Sequence, residues 1–140
     1  MTTVETLIAA RPWFPGTANV VLLTVRLIAG GVMVYYGWGK VRDLRGTIKD
    51  FQDNIAQPGW LFGTLVTVTE FFGGLALILG IALSLSAAVI GFEMGFGTIV
   101  KKWKWGKDFP DYSYDILVLG LCLVLLAFGG GSFALGQLFL

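Results

Sequence analysis

Four apolar runs, each close to the length that crosses a lipid bilayer, constrain this chain more than any other feature of its sequence. They cover about residues 18–39, 60–83, 85–100 and 114–135. A helix needs roughly 20 mostly apolar residues to span the hydrocarbon core. The composition agrees, because 56% of the residues are hydrophobic and only 14% are charged. The sequence therefore predicts an all-α membrane protein, a four-transmembrane-helix bundle in one domain over residues 1–140.

Two residue types are rare or missing, and this excludes several kinds of site. The chain has no histidine, so it cannot by itself supply histidine ligands to a haem or a metal ion. Its one cysteine, Cys122, excludes an internal disulfide and a CxxC redox pair, and we expect it to be a buried apolar residue. The few basic residues are scattered through loops, a distribution that does not suit nucleic acid. We therefore expect no intrinsic cofactor, no metal site and no nucleic-acid partner.

Basic residues are concentrated in the first and third loops, and the second loop carries no charge. They are Lys40, Arg42, Arg45, Lys49, Lys101, Lys102, Lys104 and Lys107. Because cytoplasmic loops are enriched in lysine and arginine, we expect a multi-pass protein of the plasma (inner) membrane with loops 1 and 3 in the cytoplasm and both termini outside. The N-terminal segment has no basic stretch and is broken by Pro12 and Pro15. We expect it to form an interfacial segment around Trp13 rather than a signal peptide.

The first loop contains a helical pattern of its own. Leu44, Ile48, Phe51 and Ile55 are separated by four, three and four residues, which places them on one face of a helix. We expect about residues 44–55 to form a short amphipathic interfacial helix on the membrane surface. Its role stays open between a plain surface anchor and a lid or docking surface for a soluble partner.

Five charged residues lie within the predicted spans or at their ends, where charge is costly to bury. They are Arg26, Lys40, Glu70, Glu93 and Asp115. At about 1.5 Å per helical residue from the basic side, Lys40 lies at the surface, Asp115 about 3 Å deep and Arg26 about 20 Å deep. Because Arg26 and Glu70 differ in depth by about one turn, they are predicted to form an ion pair. Glu93 has no obvious partner.

Small residues share helix faces with these charges. They are Gly30 and Gly37 in the first span, Gly73 and Gly74 in the second, and Gly91 and Gly95 in the third. Glycine lets helix backbones approach closely in membranes, so we expect these faces to point into the bundle. Three interpretations of the buried polar network stay open. It could fix the helix register, form a proton or ion path, or line a pocket for a polar head such as a quinone carbonyl.

Three segments resemble sequence patterns of the DoxX family. RLIAGGVMVYYGWGK (residues 26–40) is similar to the family's first-helix pattern of Arg, a glycine, an aromatic residue, then Gly and Lys. TEFFGGLALILGI (residues 69–81) is similar to its second pattern, a Glu followed by Gly-Gly and a later Gly. GGGSFALG (residues 129–136) resembles its Gly-x-Gly segment. Two positions depart, since Tyr36 stands where many relatives have histidine and Gly136 stands where the tail often has aspartate. No role of that histidine or aspartate carries over.

The resemblance implies a four-helix membrane bundle in which Arg26, Lys40 and Glu70 are the matching polar positions. Relatives include subunits of thiosulfate:quinone oxidoreductase and proteins that accompany soluble redox or sulfur-transfer proteins. The resemblance therefore implies a membrane subunit or anchor of a redox-associated complex, in contact with the lipid bilayer and protein partners, that shapes a quinone or lipid pocket. Two alternatives stay open: a structural or assembly subunit of a larger membrane complex, and a small transporter or proton path. The chain lacks haem ligands and a cysteine pair, so we do not expect it to carry electrons itself, and no residue is assigned a catalytic role.

Overall fold

The structure is a computed structural model, and it describes residues 17–135. Within that range the chain is helical and has no strand. Its helices are α1 (Ala18–Arg42), α2 (Leu44–Asp50), α3 (Gly59–Leu79), α4 (Leu83–Ile99) and α5 (Phe109–Phe128), and π-helical turns at Phe51–Ile55 and Val100–Lys104 extend α2 and α4. Four of the helices are long and apolar enough to cross a membrane, which confirms the predicted fold class. The predicted interfacial segment around Trp13 and the last residues of the chain, including Gly136, lie outside the described range.

The turn between α3 and α4 differs from the predicted one because a glycine sets it. Gly80 has a left-handed backbone, with φ of 73°, and its N–H donates to the carbonyl of Ala76 at 2.7 Å. This is a common way for a helix to end, and it stops α3 at Leu79 instead of residue 83. The next helix begins at once at Leu83 and, with its π-helical turn, continues to Lys104 instead of residue 100.

The last helix is shifted toward the N-terminus relative to the predicted span of 114–135. It begins at Phe109, because Pro110 in its first turn needs no hydrogen-bond partner for its nitrogen. It ends at Phe128, where Gly129 adopts a φ of 76°. As a result Asp115 lies inside the span, only 1% exposed, rather than near the surface as its predicted depth implied.

The four long helices run up and down, so that each is antiparallel to the next. The most extensive contacts join α1 to α3 and α4 to α5, and α3 also packs on α4. The fully buried apolar side chains between them include Met33, Leu77, Ile90, Cys122 and Leu125. Large apolar side chains such as Phe72, Leu85 and Leu117 are exposed on the outer surface, as contact with lipid requires.

Glycines set the contact between α1 and α3. A Cβ atom at Gly74 would lie 2.8 Å from the carbonyl oxygen of Gly30, and one at Gly37 would lie 2.7 Å from the backbone nitrogen of Phe71. Neither position has room for a side chain, because the obstructing atoms are backbone. The two helices are therefore held in one antiparallel register, with Gly30 beside Gly74 and Gly37 beside Phe71.

The remaining glycines from the sequence pattern lie at looser contacts. A Cβ at Gly73 would lie 3.1 Å from Ile90, one at Gly91 would lie 3.4 Å from Cys122, and one at Gly95 would approach Leu119 no closer than 4.0 Å. These are ordinary or slightly tight packing distances. The close approach expected at Gly91 and Gly95 is therefore absent, and side chains separate α4 from α5 there.

The short helix of the first loop spans residues 44–55, as predicted, with its second half in a π-helical turn. It rests on the start of α3, where a Cβ at Gly63 would lie 3.1 Å from the Cα of Ile48. The side-chain oxygen of Gln52 accepts a hydrogen bond of 2.7 Å from the Gly59 N–H. Of the four residues on the predicted apolar face, only Phe51 is buried. We call this end of the bundle the basic end, and the opposite end, with Gly80 and residues 129–131, the glycine end.

Candidate functional site

Arg26 is buried at the glycine end and binds backbone carbonyls instead of a carboxylate. Its Nε donates to the Leu77 carbonyl at 3.0 Å, its Nη2 to the Ile78 carbonyl at 2.6 Å, and its Nη1 to the Gly130 carbonyl at 3.2 Å. Carbonyls in the last turn of a helix have no donor within that helix and carry partial negative charge. Arg26 therefore caps α3 and fastens the segment that follows α5.

The predicted ion pair between Arg26 and Glu70 is wrong, and the register of α1 against α3 explains why. Gly37 lies beside Phe71, so Glu70 stands next to the basic end of α1. Gly30 lies beside Gly74 and Ile78, so Arg26, one turn further on, reaches the C-terminal end of α3. The depths predicted from the helix ends did not include this sliding of α1 along α3, so they placed Arg26 too close to Glu70.

Lys40 is the partner of Glu70. Its Nζ donates to Glu70 Oε2 at 2.5 Å, and the Glu70 side chain is only 4% exposed. The Lys40 side chain is 30% exposed, so the ammonium reaches the carboxylate from the basic end along its own apolar stem. This pair joins α1 to α3.

A second ion pair joins α4 to α5. Lys101 Nζ lies 2.9 Å from Asp115 Oδ2, and the Asp115 side chain is 2% exposed. The same ammonium lies 4.5 Å from the centre of the Tyr114 ring and 3.5 Å from its hydroxyl oxygen. Tyr114 in turn stacks on Tyr36 of α1, with ring centres 5.0 Å apart. The sequence places Lys101 in a loop, and the π-helical turn at the end of α4 is what directs it toward Asp115.

Glu93 is half-buried on α4 and forms no ion pair within the part of the chain that the structure describes. Its Oε2 atom is shielded from solvent and has no hydrogen-bond partner there. The charged groups that act on it electrostatically are Glu70 and Lys40. A buried polar atom without a partner costs free energy unless something supplies one, so Glu93 is the residue of this network that calls for a ligand.

A cavity of about 530 Å³ brings these groups together, and we call it the polar cavity. Its lining includes both ion pairs, Glu93, Thr69 and Tyr114, and it is otherwise mainly aliphatic and aromatic. The aromatic lining residues are Phe51, Phe62, Phe92, Phe96 and Trp105. A largely apolar cavity of this size with a few convergent polar groups is typical of small-molecule sites.

Both π-helical turns lie at the polar cavity. Phe51 and Ile55 line it from the first turn, and Val100 and Lys101 line it from the second. The two turns are joined where Lys104 Nζ donates to the carbonyl of Ile55 at 3.3 Å. π-Helical turns are rare and are often found at functional sites, so their convergence supports a functional role for this cavity.

The five charged residues therefore do not form one ladder. Four of them line the polar cavity, whereas Arg26 lies at the glycine end among carbonyls. Met33 lies midway along α1 between Arg26 and Lys40, and Leu77 lies between Glu70 and the end of α3. Both side chains are fully buried in the apolar core, which separates the two polar regions.

The sequence of the chain matches a known family of proteins. The DoxX family model matches residues 21–103, more than half of the chain. The chain belongs to the DoxX family. No curated protein and no solved structure gives a match. Within this DoxX protein the matched range contains Arg26, Lys40, Glu70 and Glu93, and it ends before α5 and the glycine-rich segment of residues 129–136.

Several residues of the polar cavity could not be selected by sequence reasoning. Tyr114, Trp105 and Thr69 line it, but each is an ordinary residue for a span or an interface in a membrane protein. The sequence places Phe51 on an apolar helix face, and the structure turns that face into a cavity wall. The only local signal was the aromatic residue directly before the intramembrane Asp115.

Proposed function

We propose that this DoxX protein is a membrane subunit of a redox-associated complex and that its polar cavity binds a quinone-type ring or a lipid with a comparable head. The observation that supports this most is Glu93 Oε2, a buried acceptor without a partner inside a mainly aromatic and aliphatic cavity. The chain has no histidine and one buried cysteine, so its role is to bind and orient rather than to carry electrons.

The residues of the polar cavity suit a ring with oxygen substituents. Lys40, Lys101 and Tyr114 offer donors to a carbonyl or hydroxyl oxygen, and Glu93 offers an acceptor. Trp105 adds an aromatic face on which a ring could pack. A ring held among aromatic side chains, with its oxygens at the polar groups, buries most of its surface.

The polar cavity also reaches the lipid-facing side of the bundle. Phe92 and Phe96 line it, yet Phe92 is 74% exposed and Phe96 is 49% exposed. The wall between the cavity and the bilayer is therefore one layer of side chains at this point. A ligand with a long apolar tail can keep the tail in lipid while its head occupies the cavity.

We propose that the basic end faces the cytoplasm and that it carries the surface for a soluble redox partner. The positive charge of the loops supports this orientation. The Trp103 side chain is 69% exposed beside Lys102, with the two in cation–π contact at 5.1 Å. Exposed tryptophan is enriched at protein interfaces.

The two other interpretations have less support. Transport needs a polar route, but the fully buried core around Met33 and Leu77 separates Arg26 from the polar cavity. An assembly role could use the glycine-rich segment after α5, but the carbonyl of Gly130 in that segment already accepts a hydrogen bond from Arg26.

Ligand-induced stabilisation tests the cavity. The protein in lipid nanodiscs is titrated with decyl-para-benzoquinone, and its melting temperature is measured. A ligand present at about a hundred times its Kd stabilises the folded state by about 2.7 kcal/mol, which is several degrees for a protein of this size. An unchanged melting temperature contradicts the proposal.

A matched pair of glycine variants locates the site. Gly97 lines the polar cavity, so Gly97→Leu should fill it and abolish the stabilisation. A Cβ atom at Gly39 would have no neighbour within 4 Å, so Gly39→Leu should respond as the wild type does. Equal responses of the two variants would place the ligand elsewhere. Purification in mild detergent tests the complex, because a lone protein without partner or quinone counts against it.

A further inference from the structure

Two buried oxygens in the polar cavity, Glu93 Oε2 and Asp115 Oδ2, have no hydrogen bond within the described residues, but only that of Asp115 lies beside a lysine ammonium. Glu70 and Asp115 each have a lysine within 2.9 Å, whereas Glu93 Oε2 has no hydrogen-bond partner among residues 17–135. Lys40 and Lys101 are thus each occupied by another carboxylate. The hydroxyl of Thr69 lies near Glu93, but it donates to the Leu65 carbonyl at 2.6 Å. What the cavity lacks is a hydrogen-bond donor at Glu93 Oε2.

We infer that Glu93 acts as a carboxylate and that the ligand of the polar cavity presents a hydroxyl group to it, so that the site binds a hydroquinone more tightly than the corresponding quinone. This inference rests on the proposed function and names the form of the ligand. A quinone offers only carbonyl acceptors, and an acceptor brought to a carboxylate oxygen leaves both atoms without a donor. A hydroquinone supplies the missing O–H.

The donors around the cavity favour a hydroxyl over an ammonium head. A hydroxyl oxygen donates one hydrogen and also accepts, so it can bind Glu93 while it accepts from Lys101 or the Tyr114 hydroxyl. An ammonium group could donate to Glu93, but it only donates, so it offers no acceptor to Lys101 or to the Tyr114 hydroxyl. A hydroxyl therefore matches both kinds of polar group that line the cavity.

Three helices share the recognition of such a ring. Glu93 comes from α4, Lys40 from α1, and Tyr114 from α5. Each helix thus contributes a different hydrogen-bonding group to one cavity, and the aromatic side chains cover the ring faces. Glu93 favours the reduced form of the ring, the hydroquinone, because its Oε2 is an acceptor without a donor.

The test compares three ligands that differ only in their oxygen substituents. Decyl-para-benzoquinone, its hydroquinone and the dimethyl ether of that hydroquinone are titrated under anaerobic conditions into the protein in nanodiscs, by isothermal titration calorimetry. The hydroquinone should bind about tenfold or more tighter than the quinone, since a hydrogen bond to a charged group is worth at least that much. The dimethyl ether has no O–H and should bind as weakly as the quinone.

Three variants assign the preference to Glu93. Glu93→Met removes the acceptor and should remove the preference for hydroquinone, whereas Glu93→Gln keeps a neutral amide oxygen and should only reduce it. Thr98→Val removes a hydroxyl from the same helix, outside the cavity lining, and should keep the wild-type preference. The melting temperature without ligand shows which variants are folded.

Each outcome distinguishes the inference from the proposed function. Equal or tighter binding of the quinone overturns the inference and leaves the proposed function standing. A preference for hydroquinone that survives in Glu93→Met also overturns it, because another group would then accept the hydroxyl hydrogen. If none of the three ligands binds the wild type, the proposed function fails together with the inference.

Discussion

Replacing Arg26 by methionine should destabilise the bundle strongly, although this residue pairs with no carboxylate within the described part of the chain. The side chain is 1% exposed and donates to the carbonyls of Leu77, Ile78 and Gly130. Methionine has a similar length but no donor, so the variant leaves three carbonyls without this partner. Ile81 cannot replace it at Leu77, because its N–H already donates to Ala76.

The change in the free energy of unfolding has two opposing contributions, the loss of hydrogen bonds and the gain from no longer burying a charge. Each buried polar group left without a partner costs about 1–3 kcal/mol, so three carbonyls give about 3–9 kcal/mol. The variant no longer buries a guanidinium, which returns several kcal/mol of desolvation free energy. With about 6 kcal/mol for the loss and about 3 kcal/mol for the gain, we expect a net loss of about 3 kcal/mol in the free energy of unfolding, measured by titration from mild detergent into dodecyl sulfate. Arg26→Lys should lose less, because an ammonium keeps the charge but cannot fork to three carbonyls.

A double-mutant cycle with Glu70→Gln refutes or supports the reasoning directly. Because Arg26 and Glu70 share no partner, the two losses should add within about 0.5 kcal/mol. A coupling energy above about 1 kcal/mol would mean that the two residues do interact, as the sequence alone suggested. A loss below about 1 kcal/mol for Arg26→Met would show that the carbonyls do not depend on this side chain.

Three further predictions concern the contacts of α3 and α4. Lys40→Met and Glu70→Gln should show a coupling energy of about 1 kcal/mol or more in the same titration, because their side chains form an ion pair, and additivity would contradict this. Gly74→Val should lower the free energy of unfolding by about 1–3 kcal/mol, because the new side chain meets the α1 backbone. Gly95→Ala has room for its Cβ and should be neutral or stabilising by up to about 1 kcal/mol. Equal effects of the two variants would refute the assigned packing. Gly80→Ala should lower the melting temperature, because alanine is strained at a φ of 73° and its Cβ would meet the chain after α5. An unchanged melting curve would contradict the left-handed turn at Gly80.

Local chemistry along the chain was enough to predict the elements of this fold. Four apolar runs can be stable in lipid only as helices, and the spacing of Leu44, Ile48, Phe51 and Ile55 identified the short helix between the first two. Each of these signals lies within one segment and needs no knowledge of the others. The ends of the spans were less certain, because residues such as Gly80 and Pro110 act through backbone geometry that hydropathy does not register.

Which charged residues meet was decided only by the tertiary structure. Sequence reasoning selected Arg26, Lys40 and Glu70, but it could not select their partners, because a pairing depends on how far one helix slides along another. That offset is set where the backbones of Gly30 and Gly74 touch, and it brings Glu70 to Lys40 and Arg26 to the last carbonyls of α3. Glu70 and Ile78 are eight residues apart along α3, which is about 12 Å at about 1.5 Å per residue, so a pairing of Arg26 with Glu70 would need a different register, and nothing within a single helix distinguishes the two registers.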